Sequence, residues 1–338
     1  MVDKPTQESS SDAESELVKV RRGRDLSFFD LVSIDQASGK DLELIFDVAR
    51  RFRDFKTYKF AFNKGCSQVN AFFEPSTRTM SSFDLAAKQL SMDTTSVSSS
   101  SSISKGESYL DTVETLDNYN VKVIIIRSEE SGVPEMAARH TQASILNAGD
   151  GWHEHPTQAL LDVLTMLDHF GTKNLEGKVL TMVGDIVHYR AFGSLVRLAK
   201  KLKATVRVAG PQTLLPAHVE KFGLKTYYSV EEAITGADIV YACRVKGEYG
   251  ANGFIPSLRE YSKMFGISRK RLDLAKKDAI LMHPGPVMRD IDVHSALAAV
   301  DKQSMILRQV ENGMAVRKAL LWLMCTRTDG KTKEFSRL

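Results

Sequence analysis

Ser76, Thr77, Arg78 and Thr79 stand in a row inside FFEPSTRTMSSFDLAAKQL, where a strand gives way to a helix. Two chemistries fit them. Their hydroxyls can cap the helix start, the common role of serine and threonine at such a place. They can also build an anion cradle. Backbone N–H groups at a helix start point outward with partial positive charge. The hydroxyls add neutral donors, and the planar fork of Arg78 matches phosphate oxygens.

Other polar residues fall at strand ends in the same way. Arg127 follows VIII, His155 and Gln158 follow ILNAGDG, and Arg190 follows TMVGD. Arg244 and Lys246 follow IVYAC, and His283-Pro284-Gly285-Pro286 with Arg289 follows AILM. In open parallel sheets, ligands bind beyond the carboxyl ends of the strands. Arginines, a lysine and histidines gathered there point to an anionic small substrate. Each residue alone has a plainer role: a cap, a surface charge, or, for Gly285 between two prolines, a turn. His140 and His153 read as solvent-facing or packing residues. No GxxxxGK[ST] is present, so this is not a Walker loop, and the lack of GxGxxG spacing speaks against a dinucleotide site; no HExxH or Ser-His-Asp order is present either.

The elements that must hold these residues alternate. SGKDLELIFDVARRFRDF has helical spacing and opens at Ser38 as a cap. SQVNAFFE, VKVIIIRS and QASILNAGDG read as strands, and HPTQALLDVLTMLDHFG is a helix closed by Gly171. In STRTMSSFDLAAKQL, Phe83, Leu85, Ala86 and Leu90 turn one face inward. The second half continues as strand KVLTMVGD, helix YRAFGSLVRLAKKL, strand TVRVAG, short helix SVEEAITGA, and strands DIVYACR and DAILMHPGP. NGMAVRKALLWLMCT is the last helix. This alternation predicts an α/β fold of two domains, each a mainly parallel sheet flanked by helices, with the C-terminal helix returning to the first domain. TTSVSSSSSISKGES reads as a Ser-rich loop that becomes a helix near Ser108; a linker and a lid over an anion site fit it equally.

The composition agrees. Apolar residues make up 43% of the 338 residues and charged residues 26%, with a net charge of +4. That profile predicts a globular protein and gives no argument for nucleic acid. Cys66, Cys243 and Cys325 are widely spaced, which predicts no disulfide framework and no zinc site, and suits a reducing, cytoplasmic compartment. No apolar run reaches the ~18 residues of a membrane span. Residues 1–25 are polar and read as disordered, and 327–338 as a polar tail.

The motifs FFEPSTRT, SKGES…DT, NAGDG…HPTQALLD, VGDI…R and MHPGPVMRD, in this order, resemble the catalytic chain of the aspartate/ornithine carbamoyltransferase family, aspartate branch. The similarity runs from about Asp25 to about Thr326. It implies a domain of residues 26–160 plus helix 306–326 that binds carbamoyl phosphate, and a domain of 161–305 that binds aspartate. It implies no cofactor and no metal. Carried over position by position, Ser76, Thr77, Arg78 and Thr79 hold the phosphate and Arg127 bridges phosphate and carbonyl oxygen. His155 and Thr79 polarise the carbonyl. Gln158 and the carbonyls around Pro284 and Gly285 hold the carbamoyl NH2. Arg190, Arg244 and Lys246 meet aspartate. Ser101 and Lys105 match a lid supplied by a neighbouring subunit, which implies a homotrimer or a multiple of trimers. Glu74 and Glu248 match residues that pair when the domains close. HPGP and the PSLREYSKMFGISRKRL insertion resemble bacterial forms that join dihydroorotase, so dihydroorotase or a regulatory chain is a partner to test.

One stretch departs from the family pattern. Arg-x-Gln-x-Glu-Arg is here Arg244-Val245-Lys246-Gly247-Glu248-Tyr249, and Met80 stands where arginine is common. Three readings follow. The chain carbamoylates L-aspartate in pyrimidine synthesis; or it uses another acceptor, or works weakly; or it is a non-catalytic scaffold. The intact STRT, Arg127, His155 and Gln158 speak against the last.

Overall fold

The computed structural model describes residues 10–56, 58–98, 106–245, 254–298 and 301–333. The chain divides into two compact units, Met1–Thr157 with Asn312–Leu338, and Gln158–Glu311. The first unit runs α1 (Ser10–Arg21), α2 (Gly39–Asp54), β1 (Ser67–Phe72), α3 (Thr77–Gln89), β2 (Asp93–Ser98), α4 (Tyr109–Asp117), β3 (Val123–Ser128), α5 (Val133–His140) and β4 (Ser144–Asp150). Helix α6 (Pro156–Phe170) carries the chain into the second unit. There follow β5 (Val179–Gly184), α7 (Ala191–Lys201), β6 (Thr205–Ala209), β7 (Lys225–Tyr227), α8 (Val230–Ile234), β8 (Ile239–Cys243), α9 (Leu258–Phe265), α10 (Arg269–Leu272), β9 (Ile280–Met282) and α11 (Ser295–Ala298). Helix α12 (Ile306–Cys325) brings the chain back to the first unit.

Each unit holds one sheet, and every strand pair is parallel, as the alternation predicts. The strand orders are β2-β1-β3-β4 and β7-β6-β5-β8-β9. Helices on both faces of a parallel sheet leave its inner strands no wet side, so these read as unbroken apolar runs. Val123, Ile124, Ile125 and Ile126 of β3 are fully buried, and so are Ile239, Val240 and Tyr241 of β8. Each order reverses direction once, between β1 and β3 and between β5 and β8. In open parallel sheets, such reversals are where ligand-binding crevices form, beyond the strand ends.

Local chemistry sets the helix starts. Ser38 caps α2 in a reciprocal capping box with Asp41. Ser108 accepts from the Asp111 N–H and opens α4, at the place the sequence predicts. Gly171 follows α6 at φ +63°, a left-handed conformation that suits glycine.

Several expectations need correction. The segment from Thr94, read as the start of a loop, begins in strand β2 (Asp93–Ser98), which pairs with β1 at the sheet edge. An edge strand needs no continuous apolar run, so its Thr-rich composition hid it. Residues 1–25 were expected to be disordered, yet Ser10–Arg21 is helical. Ala13 and Leu17 are fully buried, and Glu16 pairs with Arg51 of α2 at 2.8 Å. Docking supplies the stability that a weakly amphipathic helix lacks alone. Leu85, placed on the inner face of α3, is half exposed. The polar tail is tied down at its start. Arg327 donates to the carbonyls of Phe28 and Leu26 at 2.9 Å each, and Lys333 pairs with Asp30 at 2.8 Å.

All three cysteines are free. Cys66 and Cys325, far apart in sequence, are hydrogen-bonded to each other. That contact holds the Cys66 thiol down to about 7 and pushes Cys325 up.

The return helix carries a buried cation. Lys318 is 2% exposed and donates to the Phe52 carbonyl at 3.2 Å. Burial lowers its ammonium pKa from 10.5 to about 8. Between those values the unfolded chain binds more protons than the folded one, so stability rises with pH through this window. Below it the full cost of burying the charge is present. Lys318→Met is therefore expected to unfold at higher denaturant than the wild type at pH 7. The advantage should shrink by on the order of 3 kcal/mol toward pH 10. Denaturant titrations of both proteins at pH 7, 8.5 and 10 check it; a pH-independent difference refutes it.

Candidate active site

The first unit places the start of α3 and Arg127 at the reversal point of its sheet, between β1 and β3. β1 ends at Phe72, and α3 begins at Thr77 four residues after Phe73 N–H bonds the Arg127 carbonyl at 2.8 Å. Ser76 occupies the N-cap position but makes no side-chain capping hydrogen bond. Its hydroxyl is thus not spent on the helix, and the cap reading loses ground to the cradle. Thr77 and Arg78 are exposed in the first turn, and Thr79 is half-buried beside them.

Arg127 leaves β3 on the other side of the reversal point. Beside it, the β3–β4 register shifts between Ile126 and Ser128. A bulge of this kind re-aims the local side chain. Arg127 Nη1 donates to the Ala148 carbonyl at 3.2 Å, inside the bulge, and Nη2 meets Glu74 Oε1 at 2.6 Å. Glu74, expected to pair on domain closure, therefore already has an arginine within its own unit.

His155 is buried just before α6. The loop that delivers it is fastened by carboxylates the sequence reading did not single out. Asp150 accepts from Asn147 Nδ2 at 2.8 Å, from the Glu154 N–H at 3.1 Å and from the Gly132 N–H at 2.8 Å. Glu154 accepts from Ser33 Oγ at 2.5 Å and from the Ile34 N–H at 3.0 Å. His153, read as a solvent or packing residue, pairs with Asp150 at 3.0 Å. Gly151 is required here: a Cβ would lie 2.2 Å from Ser131 Oγ. The signal for Asp150 and Glu154 was two acids in a short turn before HPTQ, which alone does not separate a site support from a solvated loop.

The second unit repeats the pattern. Arg190 stands at the N-cap position of α7, after β5, and Arg244 is exposed directly after β8. These are the two strands at which that sheet reverses. The loop before Arg190 is held by a buried pair missed in the sequence, His188 Nδ1 to Asp185 Oδ1 at 2.9 Å. Gly184 ends β5 at φ +121°, where a Cβ would lie 2.5 Å from Tyr261 Oη and 2.8 Å from the Cys243 carbonyl.

After β9, His283 Nδ1 accepts from the Gly285 N–H at 2.7 Å and Nε2 meets Asp292 at 3.0 Å. A nitrogen that accepts carries no proton, so Nε2 is the donor to the carboxylate. This ring shapes the turn that holds Pro284 and Gly285. Gln158 opens the second unit, with its Nε2 bonded to Asp162 at 3.0 Å. Ser101, Lys105, Lys246 and Glu248 lie outside the described residues. So does Tyr249.

The comparisons agree with this geometry. Residues 30–168 match the family model "Aspartate/ornithine carbamoyltransferase, carbamoyl-P binding domain", and residues 176–324 match "Aspartate/ornithine carbamoyltransferase, Asp/Orn binding domain". The chain is 47% identical over 295 residues to the aspartate carbamoyltransferase catalytic subunit of Sorangium cellulosum, covering 87% of this chain and 88% of that one. It is 43% identical over 298 residues to that of Syntrophotalea carbinolica, covering 87% and 94%. Among solved structures it is similar to aspartate transcarbamoylase from Trypanosoma cruzi in complex with carbamoyl phosphate and aspartate. That likeness has a TM-score of 0.76 and 29% identity over 87% of this chain and 94% of the other. With both halves matched in order, and relatives this similar along most of its length, the chain belongs to the aspartate/ornithine carbamoyltransferase family.

Proposed function

We propose that this chain transfers the carbamoyl group of carbamoyl phosphate to the amine of L-aspartate, giving N-carbamoyl-L-aspartate and phosphate. The observation that carries this reading is the uncapped start of α3 at a sheet reversal point, with Arg127 at the neighbouring strand end. Ser76, Thr77, Arg78 and Thr79 bind the phosphate through hydroxyls, the guanidinium and first-turn N–H groups. Arg127, Thr79 and His155 draw charge onto the carbamoyl oxygen. The aspartate amine attacks the carbamoyl carbon, a tetrahedral oxyanion forms, and the C–O bond to phosphate breaks as the departing phosphate takes a proton from the nitrogen. The oxyanion is stabilised by donors already in place, which is where the rate comes from. Gln158 and the carbonyls around Pro284 and Gly285 accept from the carbamoyl NH2. Arg190 and Arg244 bind the two carboxylates of aspartate, with Lys246 beside them.

The first unit, expected as residues 26–160 with 306–326, serves carbamoyl phosphate, and the second, expected as 161–305, serves aspartate; the compact units divide at 157/158 and 311/312. The working unit is a cytoplasmic homotrimer in which Ser101 and Lys105 serve the neighbouring subunit's site, and its pathway is pyrimidine synthesis. No described helix is long and apolar enough to cross a membrane.

A second reading rests on Lys246 and Tyr249. A lysine reads a carboxylate as a point charge, without the paired donor and acceptor of an amide. Ureido-product formation from carbamoyl phosphate with L-aspartate, beside a panel of other amino acids, decides between them. Aspartate is expected to outperform every other amine by at least about 100-fold in kcat/KM, roughly 2.7 kcal/mol of discrimination. A different preferred amine would establish the altered-acceptor reading. Absence of turnover with every amine would overturn both.

A further inference from the structure

Asp162 lies on α6 one turn after Gln158 and is fully buried. Its carboxylate gathers donors from several elements of the second unit. Gln158 Nε2 donates to Oδ1 at 3.0 Å, and Gln309 Nε2, from α12, to the same oxygen at 2.7 Å. The Tyr241 hydroxyl, from β8, donates to Oδ2 at 2.8 Å. Tyr189 Oη lies 2.6 Å from Tyr241 Oη. Tyr241 has one hydroxyl proton and gives it to the carboxylate, so its oxygen accepts from Tyr189. Burial, and then the charge of Asp162, pushes both phenols far above their ordinary range, so they remain neutral donors. Gln309 Oε1 in turn accepts from the His283 N–H at 3.0 Å. One carboxylate thus ties together Gln158, the residue before Arg190, and the first residue of HPGP.

The consequence is polarity. A carboxamide side chain has two ends of nearly equal shape, one a donor and one an acceptor, and half a turn exchanges them. A carboxylate only accepts. Gln158 must therefore turn its NH2 toward Asp162 and its carbonyl oxygen away. Gln309 is held the same way, which is why its own oxygen is available to His283.

We propose that Asp162 is a positioning residue that locks Gln158 as a hydrogen-bond acceptor, so that a carboxamide NH2 on the ligand is selected over plain phosphate. This rests on the carbamoyl-phosphate reading above. Were Gln158 released, its NH2 could face the ligand NH2, donor against donor, and the selection would fade. Phosphate binding by the α3 cradle would stay as it was.

Titration calorimetry of the full chain with inorganic phosphate and with phosphonoacetamide, a hydrolysis-resistant mimic bearing the carboxamide, separates these effects. The quantity read is the ratio of the two Kd values. The wild type should favour phosphonoacetamide; if it shows no preference, the carbamoyl-phosphate reading itself fails. Asp162→Ala is expected to lower the ratio about tenfold with phosphate Kd unchanged, the size of one misdirected hydrogen bond. Asp162→Ser, which keeps an acceptor for Tyr241, carries the same expectation and serves where the alanine variant does not fold. Adding Gln158→Glu to either variant should restore the ratio, because a carboxylate has no wrong end to present. A ratio untouched by loss of Asp162, or one that Gln158→Glu does not restore, overturns the proposal while leaving the wild-type preference standing. A merely structural role for Asp162 would weaken both ligands together and show no such rescue.

Discussion

Arg78→Ala is expected to abolish carbamoyl-phosphate binding while the protein stays folded. Arg78 is exposed in the first turn of α3, so its removal leaves no cavity. Exposed substitutions of this kind usually change stability by about 0.5 kcal/mol or less. Binding is another matter. A guanidinium facing a phosphate dianion makes paired, charge-assisted hydrogen bonds, each contributing about 1.5–3 kcal/mol. Losing two of them predicts a fall in affinity on the order of 10³-fold, since about 1.4 kcal/mol corresponds to tenfold. The Ser76, Thr77 and Thr79 hydroxyls and the helix N–H groups remain, but they are neutral. Calorimetry with carbamoyl phosphate, paired with a thermal melt, checks both halves. Arg78→Lys should recover part of the loss, because it restores the charge without the fork. Binding by Arg78→Ala within a few-fold of wild type would remove α3 from the phosphate site.

The second large effect is a recovery. Lys105→Ala should be nearly inactive on its own, and so should Arg78→Ala. If Lys105 serves the neighbouring subunit's site, dissociating and reassociating the two variants together creates sites that draw an intact Arg78 from one chain and an intact Lys105 from the next. Random assembly of equal amounts into a ring gives about one such site in four. Activity should rise from near zero to roughly that fraction of wild type. The control is a mixture of Arg78→Ala with His155→Ala. Arg78 and His155 belong to the same compact unit of one chain. No mixed ring then contains a site with both intact, and activity should stay at baseline. Recovery in the control, or none in the test mixture, counts against the shared lid.

Much of the fold was legible in the chain because its signals are local. Runs such as VIII and IVYAC announce strands buried on both faces, and Ser38, Ser108 and Gly171 mark helix ends through bonds or backbone angles within a few residues. Strand–helix alternation then allows little besides parallel sheets, and the basic residues that follow the strands could be listed before any coordinate was known. The order of the strands could not. Only pairing places β1 beside β3 and β5 beside β8, and so makes Arg78, Arg127, Arg190 and Arg244 neighbours of the two reversal points. An edge strand such as β2 and a docked helix such as α1 were hidden for a related reason. Their stability comes from what they lie against, which their own residues do not specify. The supports of the site lie furthest from view. Asp162 meets Tyr241 and Gln309 across 79 and 147 residues of chain. A buried carboxylate must find its donors wherever the fold brings them. Sequence determined which residues could carry the chemistry; tertiary structure decided how each is aimed, because hydrogen-bond satisfaction in a buried site is a property of the packed chain and not of any one segment.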